Sequence, residues 1–171
     1  MREYRKLARL PVMYHVTSTS NAKKIEKEGL KINQPSNYTQ QWISDYYDGV
    51  IPIFLGYEPW GGRNGIVLGA IIQVNTTGLN LVTDLPSLCD FGAEVDETND
   101  NGLWWSEGDE TQAGSLKEFL DEEGFVETDV LLENPEAIEA AMLLTGTAAC
   151  LEDISVDKIM NIEYINNERV S

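Results

Sequence analysis

Residues 13–31, Met-Tyr-His-Val-Thr-Ser-Thr-Ser-Asn-Ala-Lys-Lys-Ile-Glu-Lys-Glu-Gly-Leu-Lys, decide how this chain folds. A short apolar run stops at a cluster of hydroxyls, and the hydroxyls open an amphipathic stretch. Residues 11–17 therefore read as a strand. A helix follows, with Thr19 or Ser20 as its N-cap, Ala22 and Ile25 on the inner face, and Gly29 as the stop with Leu30 just beyond. The only histidine of the protein, His15, lies on the strand. One imidazole is thus set where a strand ends and a helix begins. Such a junction offers backbone groups as well as side chains, which suits a small polar ligand.

Outward from this stretch, residues 38–47 read as a second helix bearing Trp42, Ile43, Tyr46 and Tyr47, ended by Asp48-Gly49. Residues 50–55 and 65–74 are β-rich with few polar residues, as buried strands are. A turn-rich loop, Glu58-Pro-Trp-Gly-Gly-Arg-Asn-Gly65, joins them. Its glycines lack the spacing and the lysine of a phosphate loop, so it reads as a hairpin connection. Asn75-Thr-Thr-Gly78 turns the chain into a strand over 79–82. Residues 83–114 are acidic and irregular around Trp104-Trp105, either a long functional loop or an insert. Adjacent residues on an extended segment point apart, so one of the two tryptophans anchors the loop and the other is available to a partner, or both are buried. A helix over 115–123 and a strand over 125–132 follow. Asn134-Pro135 caps and opens a helix through 144. Strands over 147–151 and 159–165 flank a turn at 153–157. Strands outnumber helices without regular alternation, so the chain reads as α+β rather than a wound parallel sheet.

The chain has 171 residues, enough for one well-buried core, and it reads as a single domain over 1–171 with an acidic loop insert around 84–114. No apolar run reaches membrane-spanning length, and the apolar stretch after the basic N-terminus is too short for a signal peptide. Cys89 and Cys150 stand far apart in unlike contexts, as ordinary thiols of a cytoplasmic protein do. One histidine and two cysteines argue against a zinc site. The net charge of −17 is uneven: residues 1–31 are basic, whereas 90–139 hold 17 acids and one lysine, Lys117. That balance disfavours direct nucleic-acid binding, whose affinity comes from Lys and Arg at phosphates. It leaves a solvated surface or a face that docks on a basic partner.

His15 by itself reads more often as a satisfied core residue than as a ligand. Its setting, with Tyr14 before, Thr17 after and a helix start within four residues, favours a ligand. Ser18 and Ser20 find no base beyond His15, so a serine hydrolase is a poor reading. Tyr14-His15-Val16-Thr17-Ser18, Asn21-Ala22, Ile25 and Glu28-Gly29-Leu30 resemble the opening motif of the ADP-ribosyltransferase superfamily, in which Tyr-His-x-Thr or Ser precedes a helix ending in Gly-Leu. Residues 51–56 resemble that family's next strand, residues 69–84 the following strand pair, and Ile154-Ser-Val-Asp-Lys-Ile159 its closing turn and last strand. In order and at fitting separations these cover about half the chain.

The resemblance implies a split β-sandwich holding NAD between its sheets. It assigns His15 to the adenosine-ribose 2′-hydroxyl, with Tyr14 and Thr17 shaping the pocket. The aromatic that stacks on nicotinamide falls at Phe54, with Tyr57 as a nearby substitute. The catalytic glutamate has no clean match. Glu152 is the nearest acid with Asp153, both equally able to cap a turn; Glu107 and Glu110 are alternatives, as is no catalytic acid at all. The implied reaction loses nicotinamide through an oxocarbenium-like transition state, which a nearby carboxylate stabilises differentially. The Arg/His set of the related 2′-phosphotransferases is missing, since Arg63 is the only basic residue between Lys31 and Lys117. Two functions follow as expectations. One is an NAD-dependent transferase acting on a macromolecular acceptor, a protein with a basic surface. The other is an inactive acidic binding or inhibitor protein on the same scaffold, docking on a basic partner.

Overall fold

A computed structural model describes residues 11–34, 41–59, 69–90, 93–95, 102–105 and 125–165. The expected helix over 115–123, most of the loop over 58–65, and Glu107 and Glu110 lie outside them. The described elements are mixed α+β, with antiparallel strands and four helices, and they divide between two compact units.

The first unit comprises residues 11–80 and 150–165. Strand β1 (Val12–Thr17) leads into helix α1 (Thr19–Glu28), and both begin and end close to where the hydroxyl cluster and Gly29 put them. The cap is Ser18, however, not Thr19 or Ser20. The Asn21 N–H donates to Ser18 Oγ at 3.2 Å, and Ser18 is the last extended residue. Four consecutive hydroxyl residues made local capping ambiguous. The end of β1 resolves it, because Thr17 is the last residue of that strand to pair with the neighbouring strand, opposite Ala70. Ala22 and Ile25 are buried as expected, which contributes roughly 2–3 kcal/mol for the isoleucine alone.

Within the stretch 38–47 read as a helix, Gln41–Tyr47 forms a 3-10 helix, and it stops at Asp48 and Gly49, both with positive φ. Strands β2 (Ile53–Gly56) and β3 (Ala70–Asn75) flank β1, and β9 (Ile159–Tyr164) borders β3, all antiparallel in the order β2-β1-β3-β9. Met13, Ile72, Val74 and Leu55 are buried, so one face of these strands is core. Leu30 and Ile154 exchange backbone hydrogen bonds at 2.9 Å in both directions. The Gly-Leu helix end therefore sits directly on the closing turn.

The second unit comprises residues 81–149. The span expected to be irregular contains helix α2 (Leu85–Asp90) and strands β5 (Ala93–Val95) and β6 (Gly102–Trp105). With β7 (Phe125–Glu127) these strands make an antiparallel sheet, β5-β6-β7, in which Trp104 stands opposite Glu94 and Phe125. Strands of three or four residues are too short to leave a periodic signal, and the surrounding acids hide them further. The strand expected over 125–132 ends at Glu127. Residues Thr128–Glu133 are helix α3, and Leu131 is buried. A short apolar run such as Val130-Leu131-Leu132 fits either period, and the packing of Leu131 decides. Helix α4 (Pro135–Thr145) opens as read: Asn134 Oδ1 accepts from the N–H groups of Glu136 and Ala137 at 3.0 and 3.1 Å. Strand β4 (Leu81–Val82) lies beside β8 (Thr147–Cys150).

Candidate functional site

His15 sits on β1, with β2 on one side and β3 on the other. Alternation places Met13, His15 and Thr17 on one face of β1, beside Val74, Ile72 and Ala70 of β3. That is the buried face. The His15 ring is part-buried, and its Nδ1 lies 2.9 Å from the backbone oxygen of Phe54. A carbonyl oxygen only accepts, so Nδ1 carries the proton. Burial pushes the imidazole below its ordinary value of 6.5, with the Phe54 bond acting in the opposite direction. The ring is therefore neutral at neutral pH, and Nε2 is a pure acceptor. No group among the described residues bonds Nε2.

At the strand–helix junction, Asn21 Nδ2 donates to Thr17 Oγ1 at 2.8 Å. Thr17 thus accepts at one lone pair of its hydroxyl and keeps its own proton to give. Gly69, at φ +129°, lies directly under this junction: a Cβ there would run into the Thr17 carbonyl oxygen and come within 2.9 Å of Ser18 Cα and 3.0 Å of Thr19 N. Asn21 and Gly69 are the parts of this site whose roles sequence reading did not identify. The four-residue step from Thr17 to Asn21, across a helix start, was the available signal for the first. Nothing local marked the second.

The structure brings together His15 and the Phe54 backbone, but not the Phe54 ring. Tyr14 stands opposite Gly56 in the β1–β2 pair, so Phe54, two residues before Gly56, shares a face with Tyr14 rather than with His15. Both rings are half-buried on that opposite face. Tyr57 follows β2 in a bend and is also half-buried. Glu152 is exposed and accepts the Asn80 N–H at 3.3 Å. Its neighbour Asp153 accepts the Ile32 N–H at 2.9 Å and lies 3.8 Å from Lys31 Nζ. Both acids hold backbone at turns, and neither hydrogen-bonds His15 among the described residues. Burial raises the Cys150 thiol above its ordinary range, so this sulfur is no ready nucleophile. Among the described residues no set of three metal-binding side chains converges, and no helix is long and apolar enough to cross a membrane.

Proton linkage gives this site a measurable signature. Below about 6.5 the unfolded chain protonates its histidine, whereas the folded protein keeps His15 neutral until its lowered pKa is reached. The unfolded state then binds more protons, so stability falls as pH drops through that window and is unaffected above it. The melting temperature of the wild type is expected to fall more steeply from pH 7.5 to 5.5 than that of His15→Gln. Parallel pH profiles for the two proteins would contradict a buried neutral imidazole.

No protein-family model matches the chain, and no curated protein or solved structure matches it either.

Proposed function

We propose that this chain is an NAD-dependent ADP-ribosyltransferase of the split β-sandwich type, transferring ADP-ribose to a macromolecular acceptor with a basic surface. The observation that carries the reading is the His15 imidazole, fixed as the Nδ1–H tautomer by the Phe54 carbonyl, with no described residue bonding its Nε2 lone pair. A sugar hydroxyl supplies the proton that this atom requires. Thr17, whose hydroxyl accepts from Asn21 and keeps its own proton, supplies a donor two residues along the same face.

NAD would be the ADP-ribose donor. His15 and Thr17 fit its ribose chemistry, while the Phe54 ring, on the other face of the strand, does not fit a stacking role beside them. Tyr57 is the better aromatic candidate. In the proposed reaction the bond between nicotinamide and the ribose breaks, an acceptor atom bonds the same carbon, and the acceptor proton leaves to solvent. Glu152 is the candidate to stabilise the positive charge that develops. Its single long bond to Asn80 leaves the other carboxylate oxygen without a partner among the described residues.

A second reading rests on that same bond. Glu152 and Asp153 each support a turn, so the chain could lack a catalytic acid and act as an acidic binding protein on a basic partner. Incubation of the full chain with labelled NAD and a cell lysate separates the two. The transferase reading expects label on protein and a loss of at least about 100-fold in Glu152→Gln, as for removal of a charge that acts in the transition state. Salt-sensitive stoichiometric capture of a basic protein without label would support the second reading.

A further inference from the structure

Among the described residues three large apolar side chains are exposed, Val156, Met160 and Tyr164, and all three belong to one short stretch. Apolar residues scattered singly over a surface need no explanation; three along one strand and the turn before it do. The strand is β9, which pairs with β3 on one side and has no partner strand on the other among the described residues. An open edge presents backbone donors and acceptors to any strand that comes alongside. Alternation along β9 is broken once, by a bulge at Met160: Ile159 stands opposite Val74, and the next pair is Asn161 opposite Gln73. The extra residue puts Ile159 and Ile162 on one face, opposite buried Val74 and Ile72, and leaves Met160 55% exposed. Tyr164 donates its hydroxyl to Glu26 Oε2 of α1 at 3.3 Å, so its ring is held in place at little further cost in entropy.

We propose that the β9 edge is the interface of a two-fold dimer, formed by antiparallel pairing of β9 with β9 of a second copy of this chain. The proposal goes beyond the transferase reading and does not depend on it. Residues 158–163, Lys-Ile-Met-Asn-Ile-Glu, are complementary to themselves when laid antiparallel. Lys158 of one copy meets Glu163 of the other, Ile159 meets Ile162, and Met160 meets Asn161. Two-fold symmetry makes each of these pairs twice. Opposite charges and β-branched side chains directly across antiparallel strands stabilise the pairing. The bulge makes the match possible on one face, because strict alternation would point Ile159 and Ile162 to opposite sides. The same register brings Tyr164 of one copy to the Val156–Lys158 turn of the other and sets Met160 beside its counterpart at the axis. All three exposed side chains are then covered together. Lys158 Nζ donates to the Thr77 backbone oxygen at 2.6 Å and keeps further protons for a carboxylate. The net charge of −17 opposes the approach of two copies. Physiological salt screens that repulsion over about 8 Å, whereas the Lys158–Glu163 pairs act in contact.

Sedimentation equilibrium of the full chain at neutral pH and physiological salt tests this. The wild type is expected to rise from 19.1 kDa toward twice that mass as its concentration reaches about 100 μM, as suits a small interface. Met160→Asp changes an exposed side chain at the axis and is expected to weaken the dimer at least about tenfold. Lys158→Glu and Glu163→Lys are each expected to weaken it about tenfold, because both cross-strand pairs become like-charged at once. The variant carrying both reversals has opposite charges across the strands again, and its association is expected to return to within about threefold of wild type. That recovery reads the pairing itself, since the double variant does not repair the Lys158–Thr77 contact. A wild type that keeps the mass of one chain at about 100 μM overturns the dimer and leaves the edge to another segment of this chain or to a different partner. A dimer indifferent to Met160→Asp and to both single reversals overturns the proposed face. Weakening by each single reversal without recovery in the double variant overturns the register. Should a charge variant not fold, Met160→Asp decides, with loss of the dimer supporting the β9 interface and retention overturning it.

Discussion

With NAD at about 100 times its dissociation constant, the wild-type chain is expected to melt about 5–10 °C higher than without it, and His15→Ala is expected to show no shift. A ligand at that excess stabilises the folded state by about 2.7 kcal/mol. For a chain of this length each kcal/mol moves the midpoint by about 2–4 °C. Alanine removes the Nε2 acceptor and the bond to the Phe54 carbonyl at once. Loss of that bond costs the unliganded fold about 1 kcal/mol, small beside the stability of a domain, so the variant remains foldable and its circular dichroism should match wild type. The comparison of liganded with unliganded melting, not the melting point itself, reads the site. A wild-type chain that ignores millimolar NAD would count against the transferase reading. Equal shifts in wild type and His15→Ala would move the ligand elsewhere.

Gly29→Ala and Gly69→Ala are each expected to lose about 2–5 kcal/mol, enough to lower the melting temperature by about 4–20 °C. Two costs add at each position. Gly29 has φ +79° and Gly69 φ +129°, where an L side chain is strained. Each added Cβ also meets backbone, not a flexible side chain: the Ile154 carbonyl oxygen at Gly29 and the Thr17 carbonyl oxygen at Gly69. Backbone cannot yield without breaking the Leu30–Ile154 bridge in the first case or moving the Thr17–Thr19 junction in the second. Gly49 is the control. It too has positive φ, but open space surrounds its missing Cβ, so Gly49→Ala should cost only about 1–2 kcal/mol. Chemical denaturation of the three variants tests the ranking. Gly29→Ala or Gly69→Ala no worse than Gly49→Ala would show that close backbone approach contributes nothing.

Several features were legible locally because one short-range force governs each. The hydroxyl cluster followed by Ala22 and Ile25 announced a strand passing into a helix, and Gly29 announced its end. Asn134-Pro135 announced α4, since a side-chain cap and a proline at the first helical position act within one turn. Where local forces balanced, sequence reading failed. Four adjacent hydroxyls could each cap α1, and the pairing of Thr17 with Ala70 chose Ser18. Val130-Leu131-Leu132 suited a strand or a helix, and the burial of Leu131 settled on the helix. The short β5 and β6 strands in the acidic span have no periodicity to detect, only partners to pair with.

The amino-acid order alone determined an α+β chain with an imidazole beside a strand–helix junction, because residue type, hydrophobic period and capping chemistry act over a few residues. Only the tertiary structure decided which tautomer that imidazole holds, on which side of the sheet the Phe54 ring falls, and that Glu152 and Asp153 brace turns. Those outcomes depend on the register between strands and on carbonyls contributed from far along the chain, such as Phe54 for His15 and Ile154 for Leu30. Neither is encoded within reach of the residues it controls.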